Sequence, residues 1–401
     1  MAASLASLIE NRYGAGQVPI EVVLPDGGRV RLADAPDVQV IARTWRGLAA
    51  LARPDLGRLA MAYVRNDVDF TGNARRMLGV AERMVGDIRH GRSSLAERAK
   101  LWLHQRRPNR ANIAYHYDVS NAFYRLWLDE RMVYSCAYFA SADDTLDRAQ
   151  EAKLDLVCRK LRLARGERFL DVGCGWGALI LWAAERHGVE ATGITLSQRQ
   201  LEHVRAEIAR RSLGDRVRVE LRDYRDLPAD ASYDKIASVG MFEHVGVARL
   251  PAYFAKLRGA LKPGGFVLNH GITHNGVHGE FLGSGIGEFV EDYVFPGGEL
   301  THVSTVIRAM AQAGLEAFDA EGLREHYART LWHWTERLEA NAAAARAEVG
   351  EERYRVWRIY MAGSAHAFER GWLSLWQVLG GRAGADGRLS HPLTRDDIYR
   401  A

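Results

Sequence analysis

The sequence predicts an α/β protein with a mostly parallel sheet covered by helices on both faces, preceded by a small α+β domain. Three observations point there. Short apolar runs alternate with stretches of helical period between residues 168 and 320. Within them, Phe169-Leu-Asp-Val-Gly-Cys-Gly-Trp-Gly177 ends an apolar run in an aspartate and a glycine-dense turn, and Ala178-Leu-Ile-Leu-Trp-Ala-Ala184 follows at helical spacing. Far upstream, Pro19-Ile-Glu-Val-Val-Leu-Pro-Asp-Gly-Gly-Arg-Val-Arg-Leu32 reads as two short alternating strands around an Asp-Gly-Gly turn, a hairpin signal.

Taken in order, residues 1–88 form the small α+β domain. Its hairpin is followed by helical spacing through Trp45-Arg-Gly-Leu-Ala-Ala-Leu-Ala52 and again over 73–85. Residues 89–108 are a basic linker. From 89 to 110 the chain carries Arg89, Arg92, Arg98, Lys100, Arg106, Arg107 and Arg110 against the single acid Glu97. Leu95, Ala99, Trp102 and Leu103 fall near one helical face, which Leu101 interrupts. From these residues alone a solvated linker helix is favoured over a helix lying on an anionic membrane with Trp102 at the headgroups. Nucleic acid is not supported, because no stacking aromatics are interleaved with the charges.

Residues 109–401 hold the sheet. Strands are expected at 168–172, 190–195, 217–222, 235–239, 266–270 and 316–320, with helices at 179–186, 199–211, 249–261 and 304–313. Residues 273–300, rich in glycine and aromatics and without a clean period, read as an inserted flap. Residues 329–379 read as helical, with Trp357, Tyr360, Met361, Ser364, Phe368, Trp372, Leu375 and Trp376 along one seam, and core packing is the favoured account of that stripe.

At 401 residues the chain accommodates a large and a small domain, and 47% hydrophobic with 26% charged residues is ordinary for a globular protein. No apolar run reaches the ~18 residues of a bilayer span. Met1-Ala-Ala-Ser-Leu-Ala-Ser-Leu-Ile lacks a basic start and soon meets Glu10, so a cytoplasmic protein without a signal peptide is expected. Cys136, Cys158 and Cys174 make neither a disulfide framework nor a paired zinc spacing.

The glycine turn narrows the ligand. Gly173, Gly175 and Gly177 are spaced G-x-G-x-G, which differs from the dinucleotide G-x-G-x-x-G. A nicotinamide site also wants an acid ending the second strand, where Thr195, Leu196 and Ser197 stand instead. Asp-x-Gly-x-Gly-x-Gly resembles the first motif of the S-adenosylmethionine (SAM) methyltransferases. Ligands of open α/β sheets bind beyond the carboxyl ends of the strands, which selects 171–177, 195–200, Asp223, Tyr224, Glu243, His244 and His270. Asp223 and Tyr224 suit an adenine ring. Glu243 could neutralise charge or move protons, with an N-cap or a structural ion pair as the alternative. His270, His274 and His278 recur every four residues, but Gly271, Gly276 and Gly279 break any helix there and no cysteine completes a ligand set, so no metal is expected.

Further motifs carry a closer resemblance. His116-Tyr-Asp-Val-Ser-Asn-Ala-Phe-Tyr124, Tyr134-Ser-Cys-Ala-Tyr-Phe139, Leu170-Asp-Val-Gly-Cys-Gly-Trp-Gly177 and Gly193-Ile-Thr-Leu-Ser197 are followed by Val239-Gly-Met-Phe-Glu-His-Val-Gly246, Tyr293-Val-Phe-Pro-Gly-Gly298 and His326-Tyr-Ala-Arg-Thr-Leu331. In this order, from Asn109 to the C-terminus, they resemble the cyclopropane-fatty-acyl-phospholipid synthase family. The first domain is more weakly similar to that family's small lipid-binding domain.

The resemblance implies a Rossmann-like class I methyltransferase with a seven-stranded sheet. It implies SAM as cofactor, held by Tyr134, Ser135, Asp171, Gly173, Gly175, Thr195, Leu196, Gln200, Asp223 and Tyr224. It also implies methyl transfer to a cis double bond of an unsaturated phospholipid, with ring closure as bicarbonate takes a proton. Cys136, Glu243, His270 and Tyr327 would cage that ion, helped by backbone around Ile272. Peripheral contact with the inner face of the membrane follows, and a homodimer stays open. The alternatives are acyl-chain methylation without ring closure, and a lipid-binding protein on a degenerate methyltransferase fold.

Overall fold

A computed structural model describes residues 18–86, 119–276 and 299–399, the backbone of 90–92 and 280–282, and Ser7, Ile9, Asn11 and Tyr13. The chain forms two compact units that are discontinuous in sequence. One comprises 1–104, 276–296 and 331–367; the other comprises 105–275, 297–330 and 368–401. Among the described residues no helix is long and apolar enough to cross a membrane.

The first unit contains β1 (Ile20–Val23), β2 (Arg29–Arg31), β3 (Val38–Ala42), α1 (Trp45–Ala52), α2 (Leu56–Val64), β4 (Val68–Phe70) and α3 (Ala74–Val85). Its sheet runs β2-β1-β3-β4, and the expected hairpin is the antiparallel β1/β2 pair. The three helices start where side chains accept the free first-turn amides, Thr44 from Gly47, Asp55 from Arg58 and Asn73 from Arg76. β5 (His90–Arg92) pairs antiparallel with β11 (Glu280–Leu282). Apart from 90–92, which form this strand, the basic run read as a helix lies outside the described residues.

The sequence reading put 331–367 with the second domain, whereas the chain packs them into the first unit. Buried charge explains this. Arg355 donates to Asp69 Oδ2 at 3.0 Å and to the Tyr63 carbonyl at 3.0 Å. Arg358 donates to the Tyr63 hydroxyl at 2.9 Å and to Glu339 at 2.7 Å. Buried guanidinium groups need such partners, and a hydrophobic stripe gives no hint of where the partners lie.

The second unit opens with α4 (Asn121–Arg125) and α5 (Leu146–Leu161). The alternation follows as β6 (Arg168–Val172), α6 (Ala178–His187), β7 (Glu190–Thr195), α7 (Gln198–Arg210), β8 (Val217–Leu221), β9 (Tyr233–Val239), α8 (Leu250–Ala260) and β10 (Leu261–His274). Then come α9 (Val303–Gln312), β12 (Glu316–Gly322) and α10 (Arg324–Ala340), which from residue 331 onward belongs to the first unit. The chain continues through α11 (Ala342–Val349) and α12 (Glu351–Glu369) to β13 (Leu373–Gly381), and α13 (Asp396–Tyr399) is last.

The seven strands are ordered β12-β13-β10-β9-β6-β7-β8, with β13 antiparallel to both neighbours. β13 corrects the sequence reading, since Leu375 and Trp376 lie on a strand and not on a helical seam. Sandwiched between β10 and β12, this strand is buried on both faces, so no alternation marked it. Elsewhere the two faces can be read residue by residue. Phe169 joins an apolar cluster with Leu154 and Val157 of α5, Ile180 of α6 and Val204 of α7. Leu170 and Val172 join the opposite cluster, with Tyr253 and Phe254 of α8 and Met310 of α9. By this alternation Asp171 shares the face of Phe169, toward α5.

Candidate active site

The strand order reverses at β6, between β9 and β7, and a cleft of about 190 Å³ opens beyond their carboxyl ends. Tyr134, Ser135, Asp171, Gly173, Gly175, Thr195, Leu196, Gln200, Asp223 and Tyr224 all line it. Ten positions spread over ninety residues of sequence thus meet on one surface.

The turn after β6 holds three glycines at positive φ: Gly173 at 83°, Gly175 at 54° and Gly177 at 84°. Their roles differ. A Cβ at Gly177 would sit 2.8 Å from a Val204 methyl, so that glycine serves helix packing. A Cβ at Gly175 would meet no protein atom within 4 Å, so its bare backbone faces the cleft. The amides of Gly173 and Cys174 both reach the Ile194 carbonyl at 3.0 Å, tying the turn to β7.

Thr195 ends β7 and donates to Gln200 Oε1 at 2.7 Å, while accepting from the Ser197 amide at 3.1 Å. Hydroxyl and amide groups therefore replace the acid of a nicotinamide site. Asp223 is held by its neighbour, since Arg225 donates Nε to Oδ1 at 2.9 Å and an Nη to Oδ2 at 2.7 Å. The Tyr224 ring meets Tyr253 edge-on at 4.9 Å. Tyr134 packs against Tyr124 and Trp127 at 5.7 and 5.4 Å, and Trp176 lies 4.7 Å from Tyr124, giving the cleft an aromatic wall.

Three buried charges sit under this surface, and sequence reasoning found only one of them. Asp171 is 3% exposed, and burial raises its pKa to about 7 against the pull of Lys153. Its Oδ1 has no hydrogen-bond partner. Lys153, also 3% exposed, donates to Ser135 Oγ at 3.0 Å; burial lowers its pKa to about 8 although Asp129 and Asp171 oppose that. Asp129 accepts the amides of Val133 and Arg131, and burial raises it to about 6. The available signal was in α5, where Gln150, Lys153 and Lys160 fall among the apolar residues of the buried positions.

Cys136, Glu243, His270 and Tyr327 are all buried and lie outside the cleft lining. Glu243 follows β9 and accepts the Ile272 amide on Oε1 at 2.7 Å; its Oε2 is buried without a partner. Burial raises its pKa to about 7. Gly271 makes room for it, because a Cβ there would fall 2.1 Å from the Phe242 ring and 2.9 Å from Glu243 Oε1. His270 receives the Gln377 amide on Nδ1 at 3.1 Å, which places its proton on Nε2, a buried donor without a partner. Burial keeps that imidazole neutral. The Cys136 thiol is pushed far above the thiolate range by burial, and Sγ points at the Leu323 carbonyl at 3.9 Å. The Tyr327 amide reaches the same carbonyl at 3.1 Å, and its ring packs on Phe368 at 4.8 Å. The structure thus ties Glu243 and His270 to β10, and Cys136 and Tyr327 to Leu323. Lys153 acts electrostatically on both Cys136 and His270.

The cleft suits SAM on its own terms. An open glycine cradle admits close backbone approach, an unpaired buried carboxylate oxygen suits a cationic ligand, and aromatic rings line the wall. A seven-stranded sheet of this order, with the cleft at its switch point, defines a class I SAM-dependent methyltransferase. Residues 104–378 match the family described as mycolic acid cyclopropane synthetase, and the chain belongs to it.

Among its relatives, a probable fatty acid methyltransferase of Pseudomonas putida is 44% identical over 96% of this chain and 97% of its own length. The tuberculostearic acid methyltransferase UfaA1 of Mycobacterium tuberculosis is 32% identical over 94% and 91%. The crystal structure of the mycolic acid cyclopropane synthase CmaA1 with SAH and CTAB aligns at TM-score 0.64 and 37% identity, covering 68% of this chain and 98% of that one.

Proposed function

We propose that this methyltransferase modifies a cis double bond in an unsaturated phospholipid acyl chain and closes a cyclopropane ring, with bicarbonate accepting the proton. The observation that carries the reading is the pair of unsatisfied buried groups just after β9 and within β10: the acceptor Glu243 Oε2 and the donor His270 Nε2. Buried polar atoms without partners are uncommon and need an explanation. A small ion with acceptor oxygens and one O–H of its own suits both. Relatives named for fatty acid methylation and for cyclopropanation of mycolic acids support an acyl chain as the substrate.

When bound, SAM supplies an electrophilic methyl group and departs as a neutral thioether. The alkene gives its π pair to that carbon, leaving a cation on the acyl chain; loss of a proton from the new methyl group provides the electrons that close the ring. The protein positions a weak nucleophile and keeps water from quenching the cation. Cys136, held as a thiol by burial, does not compete for the methyl group as a thiolate would. In this reading the basic run at 89–110 gives reach to the membrane, because its charge suits the anionic cytoplasmic leaflet.

Mass spectrometry of phospholipids from a host expressing the chain is the test. A gain of one CH₂ with the double bond consumed and a cyclopropane fragmentation pattern supports the reading. A methyl or methylene branch replaces ring closure by simple methylation, and full activity in bicarbonate-free buffer removes bicarbonate.

A further inference from the structure

The segment from Tyr134 to Phe139 carries Cys136 yet has no strand or helix of its own. Cys136, Ala137 and Phe139 are buried and the rest is partly so, and without regular structure the amides need partners from elsewhere. Three consecutive amides find them in different ways. Tyr138 donates to the Ala149 carbonyl of α5 at 3.0 Å. Ala137 donates to Thr330 Oγ1 at 3.0 Å, and Phe139 donates to His326 Nδ1 at 3.0 Å. Both of these acceptors are side chains on α10, four residues apart and therefore on one helical face. Thr330 in turn donates to the His326 carbonyl at 2.7 Å, which fixes its lone pairs toward Ala137. The Tyr138 ring stacks on the imidazole at 4.7 Å and 14°. Tyr327 is the next residue along the helix.

We propose that His326 is a positioning residue. Through Nδ1 it holds the Phe139 amide and, with Thr330, fixes the Cys136 segment against the helix that bears Tyr327. The inference rests on the reading that Cys136 and Tyr327 take part in the reaction. It requires an unprotonated Nδ1 with the proton on Nε2. The environment favours that state: burial lowers the imidazole pKa, helped by Arg329, while Glu321 of β12 and Glu325 oppose. Acidification through the lowered value protonates Nδ1 and releases the Phe139 amide.

H326L removes the acceptor, while H326N offers Oδ1 at nearly the same place. Hydrogen exchange over 136–139, SAM affinity by calorimetry, and kcat with KM are measured for both. H326L should exchange the Phe139 amide faster and lose about 100-fold in kcat, with SAM affinity unchanged, as expected when reacting groups are misplaced by about 1 Å. H326N should recover most of the rate and lose the part of the acid limb that His326 contributes. Unchanged exchange and kcat in H326L, or an H326N no better than H326L, overturns the proposal. If H326L fails to fold, T330V is read the same way at the Ala137 amide, and wild-type exchange and rate there count against it. C136A and Y327F separate the two readings, because full turnover in both removes those residues from the reaction while leaving the exchange result standing.

Discussion

Gly175 and Gly177 both have positive φ, and the structure predicts opposite outcomes when each gains a methyl group. In Gly175→Ala the left-handed backbone costs about 1–2 kcal/mol. The new Cβ touches no protein atom, so nothing further is lost on folding. The methyl instead projects into the cleft proposed to hold the cofactor. Overpacking of about 1–3 kcal/mol there should weaken SAM binding by roughly 5- to 150-fold. In Gly177→Ala the same backbone term is joined by contacts of 2.8 and 2.9 Å to the Val204 methyls, inside the packing of α6 on α7. Stability should fall by about 2–5 kcal/mol, while the folded fraction binds SAM within a few-fold of wild type. Calorimetry with SAM and thermal melts with and without it read both quantities, since a ligand that binds only the native state raises Tm. A folded Gly175→Ala variant with wild-type affinity, or a Gly177→Ala variant that loses affinity at unchanged Tm, would refute the division of labour.

Two other predictions rest on charge. Lys153→Met leaves Asp129 and Asp171 without their buried cation, costing about 3 kcal/mol near pH 7, where Lys153 is still mostly protonated. Both acids have folded pKa values raised above their unfolded ones, so their neutral forms are tolerated and the loss should shrink toward pH 5 in urea titrations; a pH-independent loss would mean that Lys153 acts through packing. Reversing Arg98, Arg106 and Arg107 to Glu should abolish most vesicle binding at low salt, at about 1 kcal/mol per charge, and spare turnover of detergent-dispersed lipid. Co-sedimentation equal to wild type across a salt series would return the run to a plain linker.

Much of the second unit was legible because its signals are local. Asp171 and Gly173 stop an apolar run, so β6 was placed at its observed bounds, and Glu190–Thr195 was read without error. Eight of the ten residues expected at the cofactor line the cleft for the same reason, since motifs at strand ends are brought to one edge by the topology; Tyr134 and Ser135 follow no strand and came from the family resemblance. What stayed hidden is long-range. β13 has no period because both of its faces are covered, and Arg355 of α12 finds Asp69 nearly 300 residues away, as Arg358 finds the Tyr63 hydroxyl. Lys153 went unseen because a lysine in a helix is normally solvated, and only the fold shows that this one lies beneath the cleft. Asp223 was available to ligand in the sequence reading, yet two residues later stands the arginine that pairs with it.

Glu243 is where the chemistry has a sign that experiment can read. Of the four residues proposed to cage a bicarbonate ion, a thiol, a phenol and the His270 Nε2–H would be its donors. The ion's own O–H still needs an acceptor, and Glu243 Oε2 is the unsatisfied one. In the proposed cage the working form would therefore be the carboxylate, and burial makes that form costly. With an ordinary value of 4.5 and a folded value of about 7, the neutral acid is favoured in the folded state. Its contribution to stability is complete below pH 4.5 and is lost as pH rises to about 7, a total of about 3 kcal/mol. Glu243→Gln removes this penalty and the acceptor together. The variant should match wild-type stability near pH 4 and exceed it by up to about 3 kcal/mol at pH 8, as read by urea unfolding. It should bind SAM normally and lose turnover by about a thousandfold or more at every pH, while wild-type kcat/KM climbs through pH 7. A wild-type rate that falls above pH 7, with Glu243→Gln retaining activity within tenfold, would instead make the neutral acid a donor to the ion.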